Sequence, residues 1–328
     1  MKVGVVGAGA WGTTLSILLS EAGHEIGLWV YEEELCGYMI ENRENKWYLP
    51  KAQIPVAINI SSSLQEIVED AELVLFSVPS KHLSSIALKA GEWISRDAAV
   101  LSATKGLEHG TGNRMSQVLG EIVPKNKIAV ISGPNLSKEI SRGLPAVTVV
   151  ACEDVDTAKG IQSAIMLERF RVYTSSDVAG VELGGALKNI IAIAAGIVDE
   201  LKLGDNAKAG LMVRGIAEIS RLGVAMGARP GTFAGLSGIG DLITTCQSKL
   251  SRNHHVGENI AKGRCLDEIL SGMREVAEGV GTTKVAVELA KKHNVEMPIT
   301  QEIYRVLFEK KDPYQAISDL MTRKKKKE

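Results

Sequence analysis

The strongest constraint on the fold of this chain stands at its start, in the stretch MKVGVVGAGAWGTTLSILL. Val3 to Val6 form a branched, uninterrupted apolar run, the character of a parallel strand buried on both faces. Gly7, Gly9 and Gly12 follow at GxGxxG spacing, and Leu15 to Leu19 then carry apolar residues at helical spacing up to Ala22-Gly23. Strand, glycine turn and helix in this order form the first crossover of a dinucleotide-binding sheet. Gly7 permits the sharp turn, Gly9 lets the backbone approach a diphosphate, and Gly12 lets helix and strand pack closely. The amides of the helix N-terminus would face the phosphates. A glycine-rich turn that binds nothing is the bland reading of the same residues.

Further short, β-branched runs recur through the first half: EIGLWV, ELVLFSV, AAVLSA, KIAVIS, AVTVV and RFRVYT. Most are separated by segments that read as helices or loops. This predicts an α/β Rossmann-type doubly wound sheet, mixed in its distal part, where the last strands stand close together. Beyond Ser175-Ser176-Asp177 no strand run is recognisable. Two long helical stretches, 177–204 and 207–227, lead into several shorter ones. The expected organisation is a dinucleotide-binding Rossmann-like domain over 1–175 and an all-helical substrate-binding and catalytic domain over 176–328. The terminal RKKKKE reads as a solvated, frayed tail.

Composition removes several classes of function. A formal net charge of −1 gives no global attraction to nucleic acid or to a membrane surface. A first strand at residue 3 leaves no room for a signal peptide, and the apolar run IIAIAAGIV is too short to cross a bilayer. A cytoplasmic protein without stable membrane insertion is therefore expected. Cys36, Cys152, Cys246 and Cys265 are scattered and read as reduced thiols, and no HExxH or Cys/His ligand spacing predicts a metal.

Ligands of an open parallel sheet bind beyond the carboxyl ends of its strands. That rule selects Tyr31 to Glu34, Pro79-Ser80, Thr104-Lys105-Gly106 and the segment Gly133-Pro134-Asn135-Leu136-Ser137, where Asn135 or Ser137 would cap a helix. In the second half Lys188 lies in VELGGALKNIIAIAAGIV, and its helical neighbours Gly184, Gly185, Ile191 and Ala192 cannot pair with its charge. A lysine so placed has a depressed pKa and can move a proton, and the glycines would leave space for a ligand; the alternative is a lysine snorkelling from a helix edge. Ser251 reads as an N-cap, with Arg252 and Asn253 in the first turn, where free amides and an arginine fork suit a phosphate. An unpartnered surface arginine is the other possibility. Gly235, Gly238 and Gly240 indicate tight packing or a loop that hugs a ligand, and Asp241 taken alone reads as a helix N-cap.

Together GAGAWGTTL, FSVPS, SATKGLE, SGPNLSKE, ELGGALKNIIAIAAGI, GLSGIGDLITT, SRN and VAEGVGTT stand in the order found in NAD(P)-dependent glycerol-3-phosphate dehydrogenases. From residue 3 to about 310 the chain resembles the bacterial soluble members of that family. The resemblance implies reversible hydride transfer between NAD(P)H and dihydroxyacetone phosphate, giving sn-glycerol 3-phosphate for phospholipid synthesis, in a homodimer. It implies Lys188 as general acid/base and Lys105, Gly133, Asn135, Asp241, Ser251, Arg252 and Asn253 as substrate contacts. Gly7, Gly9, Ala10, Trp11, Gly12, Tyr31, Lys105, Ser137, Arg252, Val276 and Glu278 match cofactor-lining positions. The chain departs from the family where Tyr31 replaces a frequent arginine and three glutamates follow, a pattern that favours the free 2′-hydroxyl of NAD. Asn135, Ser137 and the segment ENKWYLPKAQIP depart from it as well. The rival readings are a β-hydroxyacid or 6-phosphogluconate-type dehydrogenase of the same architecture, and a non-catalytic dinucleotide sensor.

Overall fold

The computed structural model describes residues 1–324; residues 325–328, most of the basic run read as a tail, lie outside the described residues. The chain divides into two compact units, Met1–Glu182 and Leu183–Glu328.

The strands of the first unit are β1 (Lys2–Val6), β2 (Glu25–Trp29), β3 (Glu44–Asn45), β4 (Leu49–Gln53), β5 (Asn59–Ser61), β6 (Leu73–Phe76), β7 (Ala99–Ser102), β8 (Ile128–Ser132), β9 (Ala146–Cys152) and β10 (Phe170–Ser175). Eight of them form one sheet in the order β10-β9-β8-β7-β6-β1-β2-β5, and β3-β4 is a separate antiparallel hairpin. All neighbours in the large sheet run parallel except β8 and β9, so the distal part is mixed, as predicted. The helices are α1 (Ala10–Glu21), α2 (Glu33–Asn42), α3 (Leu64–Val68), α4 (Ser80–Ala90), α5 (Met115–Ile122), α6 (Ser137–Ile140) and α7 (Val155–Ile165).

Alternation along the strands feeds two cores. Val3, Val5, Leu73, Leu75 and Leu101 join Leu15, Leu18, Ile161 and Phe170 in one apolar cluster. Val6, Val74, Phe76 and Val100 join Leu83, Ala87 and Leu119 in another. Apolar side chains on both faces are why these strands read as continuous rather than alternating runs. The chain moves outward from β1 through β2 to β5, then returns to lay β6 on the other side of β1. That reversal is the topological switch point at which sheets of this class bind ligands. The β3-β4 hairpin and β5 were not foreseen: they are short, and Pro50 with Lys51 at φ 69° interrupts the strand pattern.

The division into units falls inside α8 (Val178–Glu200). After it come α9 (Asp205–Ala225), a 3₁₀ turn at Pro230–Ala234, a π-helical turn at Leu236–Gly240, α10 (Asp241–Gln247) and α11 (Arg252–Ala261). The chain ends in α12 (Leu266–Ser271), α13 (Glu278–Lys292), α14 (Pro298–Phe308) and α15 (Pro313–Met321). No strand occurs among the described residues of this unit.

Helix α8 revises one expectation. Its apolar character extends over 23 residues rather than the short run seen in sequence, and by length and composition it is apolar enough to cross a membrane. Every residue of its most apolar window is buried within the protein, so it is a core helix. Glycines let α11 pack directly on its backbone: a Cβ at Gly196 would fall 2.0 Å from the His254 carbonyl oxygen, and one at Gly257 1.9 Å from that of Ile193. This contact fixes the N-terminal turn of α11 beside the middle of α8.

Another buried acid supports α14. Glu218 of α9 accepts hydrogen bonds from the Ile299 and Thr300 amides and from the Thr300 hydroxyl, satisfying the helix N-terminus. Burial nonetheless pushes its carboxyl up to about 6 against those donors. The folded state then binds this proton more tightly than the unfolded state. The stability it contributes is complete below the usual carboxylate pKa and is lost as pH rises through about 6. Glu218→Gln removes that titration. Between about pH 4.5 and about pH 7 the unfolding free energy of wild type should therefore fall by about 2 kcal/mol relative to the variant, measured from urea midpoints across that range.

Candidate active site

In the first unit the glycine turn leaves β1 at the switch point. Gly7 takes φ 112°, which a side-chain-bearing residue rarely adopts, and its N–H donates to the Trp29 carbonyl at 3.2 Å. A Cβ at Gly12 would lie 1.9 Å from the Gly7 carbonyl oxygen, so Gly12 is required for α1 to start this close to β1. Gly9 is different. It is the N-cap of α1 with ordinary dihedrals (φ −66°, ψ 178°), and a Cβ there meets no protein atom within 4 Å. No acidic side chain stands in the first turn of α1. A backbone cradle with open approach at Gly9 and amide donors at Ala10 and Trp11 fits a diphosphate. Asn45, fully buried, braces this turn: its Nδ2 donates to the Ala8 carbonyl at 2.7 Å and to Thr13 Oγ1 at 2.9 Å. Trp11 sits with its ring centroid 6.4 Å from that of Phe170, while Tyr31, after β2, is exposed and lies edge-on to Trp29.

Farther along the same sheet edge, Lys105 follows β7 and donates its Nζ to the carbonyl of Gly133, which follows β8, at 3.1 Å. The predicted capping by Asn135 or Ser137 does not occur. Leu136 is the N-cap of α6 and no side chain caps it. Asn135 instead donates to the Val147 carbonyl at 3.2 Å and accepts from Thr148 Oγ1 at 3.0 Å, which ties the loop after β8 to β9. Ser137 is the first residue of α6 and is half-buried.

In the second unit Lys188 does not snorkel. Only 6% of it is exposed, and its Nζ donates to Asp241 Oδ1 at 2.5 Å and to Thr245 Oγ1. The counter-charge that its helical neighbours lack comes from α10, fifty-three positions later. Asp241 is therefore not an N-cap, a position that Gly240 holds; it is the first residue of α10 and is 1% exposed. The Thr245 hydroxyl donates to the Asp241 carbonyl at 2.7 Å, which leaves its oxygen to accept from the lysine. Glu182, one turn and more before Lys188, is engaged inside the first unit by Arg114 and Ser116. The expected role of Gly184 also changes. A Cβ there would fall 2.4 Å from the Ser237 carbonyl oxygen, so the glycine admits the backbone before α10 rather than a ligand. That close approach is what carries Asp241 to Lys188.

At the start of α11, Ser251 is the N-cap as predicted, its hydroxyl accepting from the His254 amide at 3.2 Å. Arg252 is the first helical residue, its side chain half-exposed, with Nη1 4.0 Å from Glu275 Oε1. Asn253 is buried, and its amide donates to Asn189 Oδ1 at 2.9 Å and accepts from the Gly279 N–H at 2.9 Å. It binds the first turns of α11 and α13 to α8. Glu278 begins α13 next to Gly279, whose N–H reaches Asn253 in the first turn of α11, and Val276 stands just before α13. Sequence reasoning missed Thr245, Asn189 and Asn45. The i,i+4 spacing of Asp241 and Thr245 is the one local signal for any of them.

Burial raises the thiol pKa of Cys36 and Cys152 and pushes that of Cys246 up to about 12, so these cysteines are poor nucleophiles. Among the described residues no group of three or more His, Cys, Asp or Glu side chains is placed to hold a metal ion.

A doubly wound sheet with a glycine cradle at its switch point, joined to a helical unit around a buried lysine–aspartate pair, is the framework of an NAD(P)-dependent oxidoreductase acting on a CH–OH group. The N-terminal family model of NAD-dependent glycerol-3-phosphate dehydrogenase matches residues 2–158, and the C-terminal model matches residues 177–318. The chain belongs to this family. A glycerol-3-phosphate dehydrogenase [NAD(P)+] from a Thermoanaerobacter species is 48% identical over 328 residues, covering 100% of this chain and 99% of the relative. The crystal structure of glycerol-3-phosphate dehydrogenase from Coxiella burnetii superposes with a TM-score of 0.94 at 35% identity, covering 98% of each chain. The enzyme from Saccharomyces cerevisiae gives 0.84 at 26% identity over 98% of this chain and 99% of that one. The chain interconverts dihydroxyacetone phosphate and sn-glycerol 3-phosphate using NAD or NADP.

The last two glycines of the cradle should separate under mutation. Gly9→Ala should fold with a melting temperature within a few degrees of wild type yet weaken dinucleotide binding. Gly12→Ala should destabilise the first unit by about 1–3 kcal/mol, because its Cβ forces β1 and α1 apart. Thermal melts and NADH titrations check both.

Proposed function

We propose that Lys188 is the general acid/base of the reaction and that the first turn of α11 holds the substrate phosphate. The observation that carries this reading is the buried Lys188–Asp241–Thr245 cluster. Two of its ammonium donors are committed to fixed oxygens, which holds the amine in one orientation. Lysine so oriented protonates the C2 oxygen of dihydroxyacetone phosphate as negative charge develops there, and takes the proton back in the oxidation. Asp241 holds the amine in place, and Thr245 fixes its rotamer. When bound, the nicotinamide supplies or accepts the hydride at C2.

Arg252 offers a planar guanidinium fork at a helix N-terminus, where amide dipoles add to its attraction for a phosphate. Ser251 and Asn253 keep that turn in place by capping and by cross-linking helices. Gripping the phosphate there orients C2 relative to Lys188, the entropic part of the rate enhancement. Lys105, Gly133, Asn135 and Ser137 on the sheet edge, with Gly7 to Gly12, Tyr31, Val276 and Glu278, complete the proposed contacts. We place dinucleotide binding in the first unit and substrate chemistry in the second. A cytoplasmic homodimer belongs to the same reading, and four unpaired cysteines accord with a reducing compartment.

Lys188→Met should retain NADH binding while kcat falls about 10³-fold. Unchanged turnover, followed at 340 nm with dihydroxyacetone phosphate, removes Lys188 from the chemistry. Arg252→Ala should raise KM for dihydroxyacetone phosphate at least about tenfold with a smaller effect on kcat. An unchanged KM shows that the phosphate sits elsewhere.

A further inference from the structure

We propose that His254, bonded to Asp199, is a positioning residue of the reaction: the pair fixes the rotation of α11 about its own axis and so aims Arg252 at the substrate phosphate. The proposal rests on the reading that Arg252 grips that phosphate. His254 stands in the first turn of α11, two positions after Arg252, yet its side chain is buried. Its Nε2 lies 2.7 Å from Asp199 Oδ2, near the end of α8. A carboxylate only accepts, so Nε2 carries the proton and donates it. Nδ1 is buried without a hydrogen-bond partner, 3.6 Å from Glu258 Oε1, so the bond to Asp199 is what orients the ring.

Asp199 is a firm anchor. Lys208, in the first turn of α9, donates to the same Oδ2 at 2.6 Å. Burial works to raise the pKa of this carboxyl, but the hydrogen bonds from Lys208 and His254 outweigh it and hold the carboxyl below the ordinary carboxylate range. The acceptor is therefore charged and braced from a third helix. Asn253 is bonded to Asn189 and His254 to Asp199, two directions about 100° apart around α11. Their partners stand ten positions apart, about 15 Å along α8, so the first turn resists both roll and swing. Arg252 leaves the helix about 160° away from His254, and its side chain is accordingly 48% exposed against 2% for the histidine. Gly196 and Gly257 set how close α11 lies to α8, and His254 sets which way its first residue points. The amides of Arg252 and Asn253, which a helix start presents to an anion, are turned with it.

The test is steady-state kinetics of the full-length protein with dihydroxyacetone phosphate and NADH, with NADH binding measured alongside. The variants are His254→Leu, His254→Gln, Asp199→Asn, Arg252→Ala and the double variant His254→Leu/Arg252→Ala. His254→Leu should raise KM for dihydroxyacetone phosphate about fivefold while kcat stays within about twofold and NADH affinity is unchanged. Glutamine, whose amide N–H reaches the place of Nε2, should recover most of that loss, whereas a merely space-filling histidine is replaced better by leucine. In the double variant KM should rise no more than about twofold beyond Arg252→Ala, because the histidine acts through the arginine. Asp199→Asn keeps the shape of the anchor without its charge and should raise KM about threefold. That variant reads the same bond if His254→Leu does not fold. An unchanged KM in His254→Leu or Asp199→Asn, a glutamine variant no better than leucine, or effects of His254→Leu and Arg252→Ala that multiply, overturn the proposal and leave the phosphate grip in place. An unchanged KM in Arg252→Ala removes the grip itself, and the positioning role falls with it.

Discussion

A lysine ammonium inside an apolar helix must have its charge answered, and the second unit is organised around that requirement. Burying an unpaired charge costs several kcal/mol, and breaking a buried pair by removing one partner costs about 3–5 kcal/mol. Its helical neighbours Gly184, Gly185, Ile191 and Ala192 carry no counter-charge, and tertiary structure brings Asp241 to the amine. It does so because Gly184 lets the backbone at Ser237 approach to a distance no side chain would allow. The π-helical turn that follows then starts α10 with Asp241 facing the amine. The pair is expensive to assemble and offers little to stability by comparison with apolar packing. Its presence accords with the acid/base role we propose for Lys188.

The same economy recurs at the other end of the helical unit. Asn253 uses its amide N–H toward Asn189 and its amide oxygen toward the Gly279 N–H, and Gly196 and Gly257 let α8 and α11 touch backbone to backbone. Small residues thus bring rigid helices close, and buried amides then fix their register. Arg252 and Ser251 inherit their position from these contacts. In the first unit the cradle at Gly9 depends in the same way on Gly12, which lets α1 start against β1, and on Asn45, which reaches in from a hairpin outside the main sheet.

Legibility in the sequence followed the range of the interactions involved. The glycine turn, the six principal later strands and the long helices were readable because each is declared within one local segment, by period and by turn chemistry. Ser251 as a cap was readable for the same reason. Asp241 was not: its neighbours are those of a helix start, and nothing local distinguishes a capping aspartate from one that reaches Lys188. Asn135 resembled a cap as well, but Thr148 and Val147 on β9 compete for its amide and win. The hairpin that carries Asn45 and Tyr48 left almost no periodic signal, being short and interrupted by Pro50.

By itself the sequence determined the class of the fold, the order of its elements, the membership of its family and the suspicion attached to Lys188. Those follow from residue periodicity, from glycines whose absence of a side chain is itself the signal, and from motif order along the chain. Only the tertiary structure decided what Lys188 is bonded to, which glycines face backbone rather than open space, and which polar side chains are consumed in holding helices together. The physical reason is that a buried polar group is satisfied by whatever donor or acceptor folding brings within about 3 Å, and that partner can stand anywhere in the chain.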